Sequence, residues 1–219
     1  MQNRKKIFIV DDHPVFRKGL AQLINEEEDL TVSGEAEAVE DAVRMIRKGL
    51  PDLVIVDITL KDRSGIDLIE QLKTLHPGLP VLVISMHDES LYAERVLRAG
   101  ALGYITKQEM TGNVVSAVRR VLAGKRYISP DMTDTLIGKM VVPGNKAGSG
   151  KGSPVEALSN RELEVFQLIG QGYKRRQIAD LLHLSVKTVG THRESIKKKM
   201  NLKSAGQLMT QAVNWVQKA

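Results

Sequence analysis

Residues 7–16 read IFIVDDHPVF. The first four are apolar and mostly β-branched or aromatic, the character of a strand buried on both faces. The run then stops on two adjacent carboxylates, Asp11 and Asp12. Neither acid fits an apolar core, and the two repel each other. The end of this strand must therefore meet something that compensates negative charge.

Outward from this stretch, the first 125 residues alternate between two periods. Short β-rich runs at 6–10, 30–33, 53–58, 81–85 and 103–106 are separated by segments with helical spacing. Val15, Leu20, Leu23 and Ile24 form the apolar set of the first helix, Val39, Ala42, Val43 and Ile46 that of the second, and Ile66, Ile69 and Leu72 that of the third. Further helices are expected at 89–99 and 111–124, and Gly49, Gly100 and Gly124 stand where helices should stop. Strand and helix repeated five times predict an α/β domain, a parallel sheet covered on both faces. Residues 141–154, VVPGNKAGSGKGSP, read as a flexible linker, with a short helix expected before it at 130–140. An all-α pattern follows.

The chain has 219 residues, enough for two small domains, with 42% hydrophobic, 26% charged and only 4% aromatic residues. A core of Val, Ile, Leu and Met is expected. The absence of Cys excludes disulfides and thiolate metal sites and fits the cytoplasm. No apolar run is long enough for a signal peptide or a membrane span, so no membrane role is expected. Residues 1–128 carry 18 Lys+Arg and 19 Asp+Glu, a net of −1; residues 129–219 carry 14 and 7, a net of +7. The basic half suggests an anionic polymer as partner, although a solvated basic surface gives the same count.

Asp11 and Asp12 follow the first strand, Asp57 closes the third (LVIVDITL), Ser85 the fourth (VLVISMH), and Lys107 follows the fifth (GYITKQ). In an open parallel sheet these ends share one edge, where ligands bind. Three carboxylates offer oxygen ligands alone, with no His or Cys, which favours a hard divalent ion, Mg²⁺ or Mn²⁺. A metal, an ammonium and a hydroxyl around Asp57 suit phosphoryl transfer onto that carboxylate. Each residue alone has an ordinary structural explanation, such as a cap or a core position; the set of five does not. His13 and His87 are single rings without metal partners in the sequence and are expected to be structural or solvated.

VDDHP, IVDITL, VISMHD and GYITK resemble, in order and spacing, the motifs of a response-regulator receiver domain, which would span 5–125 with a flavodoxin-like five-stranded sheet. The resemblance implies a Mg²⁺-dependent aspartyl phosphate on Asp57, donated by a sensor histidine kinase. Asp12 would bind the metal directly, Asp11 through water, and Thr59 through its backbone carbonyl. Ser85 and Lys107 would bind the phosphoryl group, and Tyr104 matches the family's switch aromatic. Met86 departs from the usual Ala, and its bulk is expected to narrow access to the phosphoryl group.

In the C-terminal part, Ser159 and Glu162 form a capping box before a helix faced by Leu163, Phe166, Leu168 and Ile169. KRRQIADLLHL is a short helix with Ile178, Ala179, Leu181 and Leu182 as core. Ser185 caps VKTVGTHRESIKKKM, with Val186, Val189, Ile196 and Met200 inward, and a last helix at 204–217 has Leu208, Ala212 and Trp215 apolar. Two short helices joined by a tight turn, the second basic, follow the helix-turn-helix plan. Residues 155–217 resemble the LuxR-type helix-turn-helix domain, with 126–154 as linker, and the whole chain resembles the NarL/FixJ class of response regulators. The resemblance implies double-stranded DNA as partner and a homodimer when phosphorylated or DNA-bound, with the last helix around Leu208, Ala212 and Trp215 as a candidate interface. Lys174, Arg175, Arg176, Lys187, Thr188, Gly190, Thr191, Arg193, Glu194, Lys197 and Lys198 are the expected DNA-facing residues. Gly190, Thr191 and Glu194 fall at the family's base-facing positions. Gly190 offers no side chain and weakens a helix by about 1 kcal/mol relative to Ala.

The reading is a transcription regulator, not an enzyme beyond slow self-dephosphorylation. Two alternatives stay open: a constitutive DNA-binding regulator with a non-signalling receiver, and a Mg²⁺-dependent phosphatase. The phosphatase would want an acid two residues past its nucleophile, where this chain has Thr59.

Overall fold

The computed structural model describes residues 4–87, 89–130, 132–134 and 154–217. The chain divides into two compact units, Met1–Val141 and Val142–Ala219. The expected helix at 130–140 is described only at 130 and 132–134, which are helical; most of the expected linker lies outside the described residues.

The first unit alternates β1 (Lys5–Val10), α1 (Pro14–Asn25), β2 (Leu30–Ala36), α2 (Val39–Lys48), β3 (Leu53–Val56), α3 (Gly65–Leu75), β4 (Val81–Ser85), α4 (Glu89–Ala99), β5 (Gly103–Thr106) and α5 (Met110–Leu122). The five strands form one sheet in the order β2-β1-β3-β4-β5, with every pairing parallel. Parallel strands need crossovers, and the helices supply them on both faces. Ile7, Ile9, Ile55, Leu82, Ile84 and Ile105 pack with Leu20 and Ile24 of α1 and Val114, Val118 and Val121 of α5. The alternate residues, Phe8, Val10, Val54, Val56 and Val83, are also buried and point to the opposite face. Gly100 and Gly124 follow α4 and α5 with φ of 115° and 72°, a region that favours glycine.

Three expectations need correction. Val15 is 87% exposed rather than part of the α1 core, because it sits in the first turn, beyond the sheet's cover. β2 runs three residues further, to Ala36, pairing with β1 through a register shift at Ile7/Phe8. β3 is shorter and ends at Val56, one residue before Asp57. Past α5, the chain stays on the sheet. Tyr127 forms a parallel bridge with Gly103, its carbonyl accepting from the Tyr104 amide and its amide donating to the Leu102 carbonyl.

The second unit opens with a 3-10 turn, Pro154–Ala157, followed by α6 (Asn160–Gly170), α7 (Arg175–Leu181), α8 (Val186–Lys199) and α9 (Ala205–Val216). Its core joins Val165, Phe166 and Ile169 of α6, Ile178 and Ala179 of α7, Val189 and Ile196 of α8, and Leu208 and Ala212 of α9. Leu181 and Val186 are exposed, not core: they flank the α7–α8 turn, where the apolar stripe runs off the packed face. Ser185 and Ser204 cap α8 and α9 by accepting the Thr188 and Gln207 amides.

Ser159 and Glu162 make the capping box on α6. Glu162 also accepts from Ser195 Oγ (2.6 Å) and Lys199 Nζ (2.7 Å), both on α8. Burial by itself would raise the Glu162 carboxyl. The bonds from Lys199, Ser195 and the Ser159 amide outweigh burial and bring it down from 4.5 to about 2. A depressed carboxylate stabilises the fold above its unfolded value, and that stability is lost as pH falls through the folded one. The wild-type advantage over Glu162→Gln should thus be full above pH 4.5 and vanish on descent to about 2. Thermal melts followed through Trp215 fluorescence, at a series of pH values, check this.

Candidate functional site

The sheet brings the strand-end residues to one edge because every strand runs the same way. Asp11 and Asp12 follow β1, Asp57 follows the neighbouring β3, Ser85 closes β4, and Lys107 follows β5. The loop after β3 folds back tightly, with the Gly65 amide donating to the Ile58 carbonyl (2.6 Å). A Cβ at position 65 would fall 1.9 Å from the Asp57 carbonyl oxygen, so only glycine lets α3 start this close to the acid.

Lys107 Nζ lies 2.7 Å from Asp57 Oδ2 and 2.7 Å from Asp11 Oδ2, with all three side chains at most 4% exposed. Its amide donates to the Ser85 carbonyl (2.7 Å), and its ammonium sits 4.2 Å from the centre of the Phe16 ring. Ser85 is fully buried, and its Oγ accepts from the His87 amide (3.4 Å). The Thr59 amide donates to Asp57 Oδ1 (3.4 Å). Tyr104 is buried and stands outside the cleft: its hydroxyl donates to the His87 carbonyl (2.8 Å). Met86 is largely exposed.

Burial pushes the Asp57 carboxyl up; the Lys107 charge and the bonds from Lys107 and Ser85 draw it back, and Asp12 adds to the rise. Burial likewise raises Asp11, with the Asp57 charge adding to it and Lys107 opposing. Burial would lower the Lys107 ammonium, but the charges of Asp57 and Asp11 and its bonds to both hold it above its usual value. One ammonium thus stands against three carboxylates. The ligand atoms of Asp11, Asp12, His13 and Asp57 lie within 4.8 Å of one another. Three converging carboxylates fit a hard divalent cation such as Mg²⁺.

Two histidines expected to be structural or solvated stand at the site, and one further neighbour, Arg17, went unnoticed in the sequence. The His13 ring is not merely solvated: Nδ1 lies 2.8 Å from Asp12 Oδ1. His87 is likewise engaged, with Nε2 2.9 Å from Thr59 Oγ1 and its ring beside Tyr92. Their positions next to Asp12 and two residues past Ser85 were the available signals. Arg17 is buried and donates to the Asp11 carbonyl (2.6 Å), Glu35 (3.0 Å) and Glu37 (3.0 Å), which steadies the loop holding both acids. Nothing in its local sequence points to partners so far along the chain.

In the second unit α7 and α8 are joined by a tight turn in which His183 takes φ 52° and the Leu184 amide donates to the Ala179 carbonyl (2.8 Å). Lys174, Arg175, Arg176, Lys187, Thr191, Glu194 and Lys198 are exposed; Thr188, Gly190, Arg193 and Lys197 are half-buried. Several polar groups are already engaged: Thr188 Oγ1 with Ser185 Oγ (2.8 Å), Thr191 Oγ1 with the Lys187 carbonyl (3.3 Å), Glu194 with Lys197 (2.9 Å). On α9, Leu208 and Ala212 are fully buried in the unit's own core, so those two side chains are not available to a second copy; the half-buried Trp215 packs against Phe166, with ring centres 5.6 Å apart.

Residues 7–119 match the family model of the response regulator receiver domain, and residues 156–212 that of the bacterial regulatory proteins, luxR family. The chain is similar to the oxygen regulatory protein NreC of Staphylococcus carnosus (36% identical, covering 95% of this chain and 96% of the relative). It is also similar to the transcriptional regulatory protein DegU of Brevibacillus brevis (33% identical, 98% and 96%). Among solved structures it resembles the response regulator ChrA of a heme-sensing two-component system (29% identical, 97% and 98%, TM-score 0.51).

A carboxylate raised by burial binds more protons folded than unfolded above its ordinary value of 3.8, so stability falls as pH rises through that window. Asp57→Asn should accordingly unfold at higher denaturant than wild type near neutral pH without divalent ions. The gap should shrink toward acid pH and on adding Mg²⁺. Urea titrations of both proteins measure it.

Proposed function

Because this chain belongs to the response regulators that join a receiver domain to a LuxR-type helix-turn-helix domain, we propose that a sensor histidine kinase switches its DNA binding by phosphorylating Asp57. The family's members are DNA-binding transcription regulators of two-component systems. The proposal assigns 5–125 to the phosphoacceptor, 126–154 to the linker and 155–217 to DNA. The observation that carries it is the Lys107 ammonium, 2.7 Å from both Asp57 and Asp11 at the floor of a cleft with excess negative charge.

An Asp57 carboxylate oxygen attacks the phosphorus of the kinase's phosphohistidine. The O–P bond forms as the N–P bond breaks, and the imidazole leaves with the electron pair and takes up a proton. Lys107 and Ser85 receive the phosphoryl oxygens, and Lys107 needs little movement to do so. A Mg²⁺ or Mn²⁺ held by Asp12, Asp57 and the Thr59 carbonyl, with Asp11 acting through water, supplies further positive charge when bound. Any turnover is the slow hydrolysis of this acyl phosphate.

Ser85 turns to the phosphoryl group, and Tyr104 gives up the His87 carbonyl in the same transition, altering the α4–β5 surface. The DNA-binding units then pair as a homodimer on two half-sites. α8 enters the major groove, presenting Lys187, Thr188, Gly190, Thr191, Arg193, Glu194, Lys197 and Lys198, while Lys174, Arg175 and Arg176 meet the backbone. DegU is named a transcriptional regulatory protein, in keeping with this output. Among the described residues no helix is long and apolar enough to cross a membrane, in keeping with action in the cytoplasm.

The test is binding of genomic DNA fragments with and without acetyl phosphate and Mg²⁺, comparing wild type and Asp57→Ala. Wild-type affinity should rise about 5- to 150-fold on phosphorylation, with no response in the variant. Equal, donor-independent binding by both would establish a constitutive regulator instead.

A further inference from the structure

Gly190 occupies the face of α8 that a DNA groove would meet. It is half-buried, about 100° round the helix from Val189 and one turn from Lys187 and Glu194, at the edge of the exposed face that turns toward α7. A glycine there has nothing to extend toward a base. Its neighbours compensate poorly, since Thr191 Oγ1 is turned back to the Lys187 carbonyl and Glu194 is tied to Lys197.

The space above Gly190 is not empty. A methyl at this position would lie 3.8 Å from Nη1 and 3.9 Å from Cζ of Arg175, the first residue of α7. An α7 guanidinium therefore lies over the notch that glycine leaves in α8. Arg175 is exposed, and among the described residues no ion pair holds it in place. Arg193 is close enough that, after burial, the Arg175 charge helps hold its guanidinium below its usual value, with Glu194 opposing. Two cations crowded on one face favour an anionic partner.

We propose that Arg175 stands in for the missing side chain at position 190 and reads a guanine edge in the major groove, rather than only meeting phosphate. Its planar fork matches the O6 and N7 acceptors of guanine. The inference rests on the DNA-binding reading above and refines it: one residue of the KRR run at 174–176 specifies sequence while the others supply affinity. Gly190 is then what lets the arginine reach the groove floor.

The experiment is selection from a randomised duplex pool by full-length protein with acetyl phosphate and Mg²⁺, followed by affinities for the selected site and its guanine-substituted versions. Wild type should prefer guanine at one position of each half-site by about ten- to a hundredfold. Arg175→Ala should lose that preference, and Arg175→Lys should keep most affinity but discriminate less. Arg176→Ala should weaken all sequences alike, with the log–log salt slope shallower by about 0.9. Gly190→Lys in the Arg175→Ala background should restore affinity with a changed preference. Uniform weakening by Arg175→Ala, with the salt slope reduced, would reduce Arg175 to a phosphate contact and overturn the proposal. A wild type that selects no sequence would overturn it together with the DNA-binding reading, and that outcome is distinct because it needs no variant to be seen.

Discussion

Three carboxylates gathered against one ammonium in a buried cleft are the constraint on which the first unit depends. The acids cannot spread apart, because Asp11 and Asp12 extend β1 and Asp57 extends the adjacent β3. The ammonium comes from β5, two strands away from β3, a span of about 10 Å at ordinary strand spacing. Only a long side chain bridges that gap, and it must pass over the end of β4, where a small Ser85 leaves room. Strand order thus dictates residue size at each strand end. The surplus negative charge keeps the site responsive, since any added cation changes which partner Lys107 prefers.

Much of this was legible in the sequence. Apolar runs of four residues ending on Asp57 and Ser85 are strong signals, because a buried strand leaves few options for a polar residue except at its end. Periodicity failed where an element projects beyond what covers it, as with Val15, Leu181 and Val186. It also misjudged β2, whose outer half, Gly34–Glu35–Ala36, lacks the β-branched run that marks the central strands. Arg17 was invisible because its partners Glu35 and Glu37 are 18 and 20 positions away and belong to another element. Leu208 and Ala212 show a further limit: an apolar stripe declares that it will be covered, not by what.

The second unit ties α8 to its interior through one acid. Glu162 caps α6 and also holds Ser195 and Lys199, which directs the last basic turn of α8 partly inward. Counting cations along α8 therefore overstates those left for a phosphate backbone. Orientation of α8 is fixed from α6 as well as from the α7–α8 turn.

Tyr127 has a consequence for how two copies of the first unit can meet. By taking the Tyr104 amide and giving its own to Leu102, it lies along the open flank of β5. An exposed flank of this kind is a template for strand addition, which tends to be long-lived and prone to run on into aggregates. With that flank occupied by its own chain, association on this side is left to side chains on the neighbouring helices. Contacts of that sort form and dissolve readily.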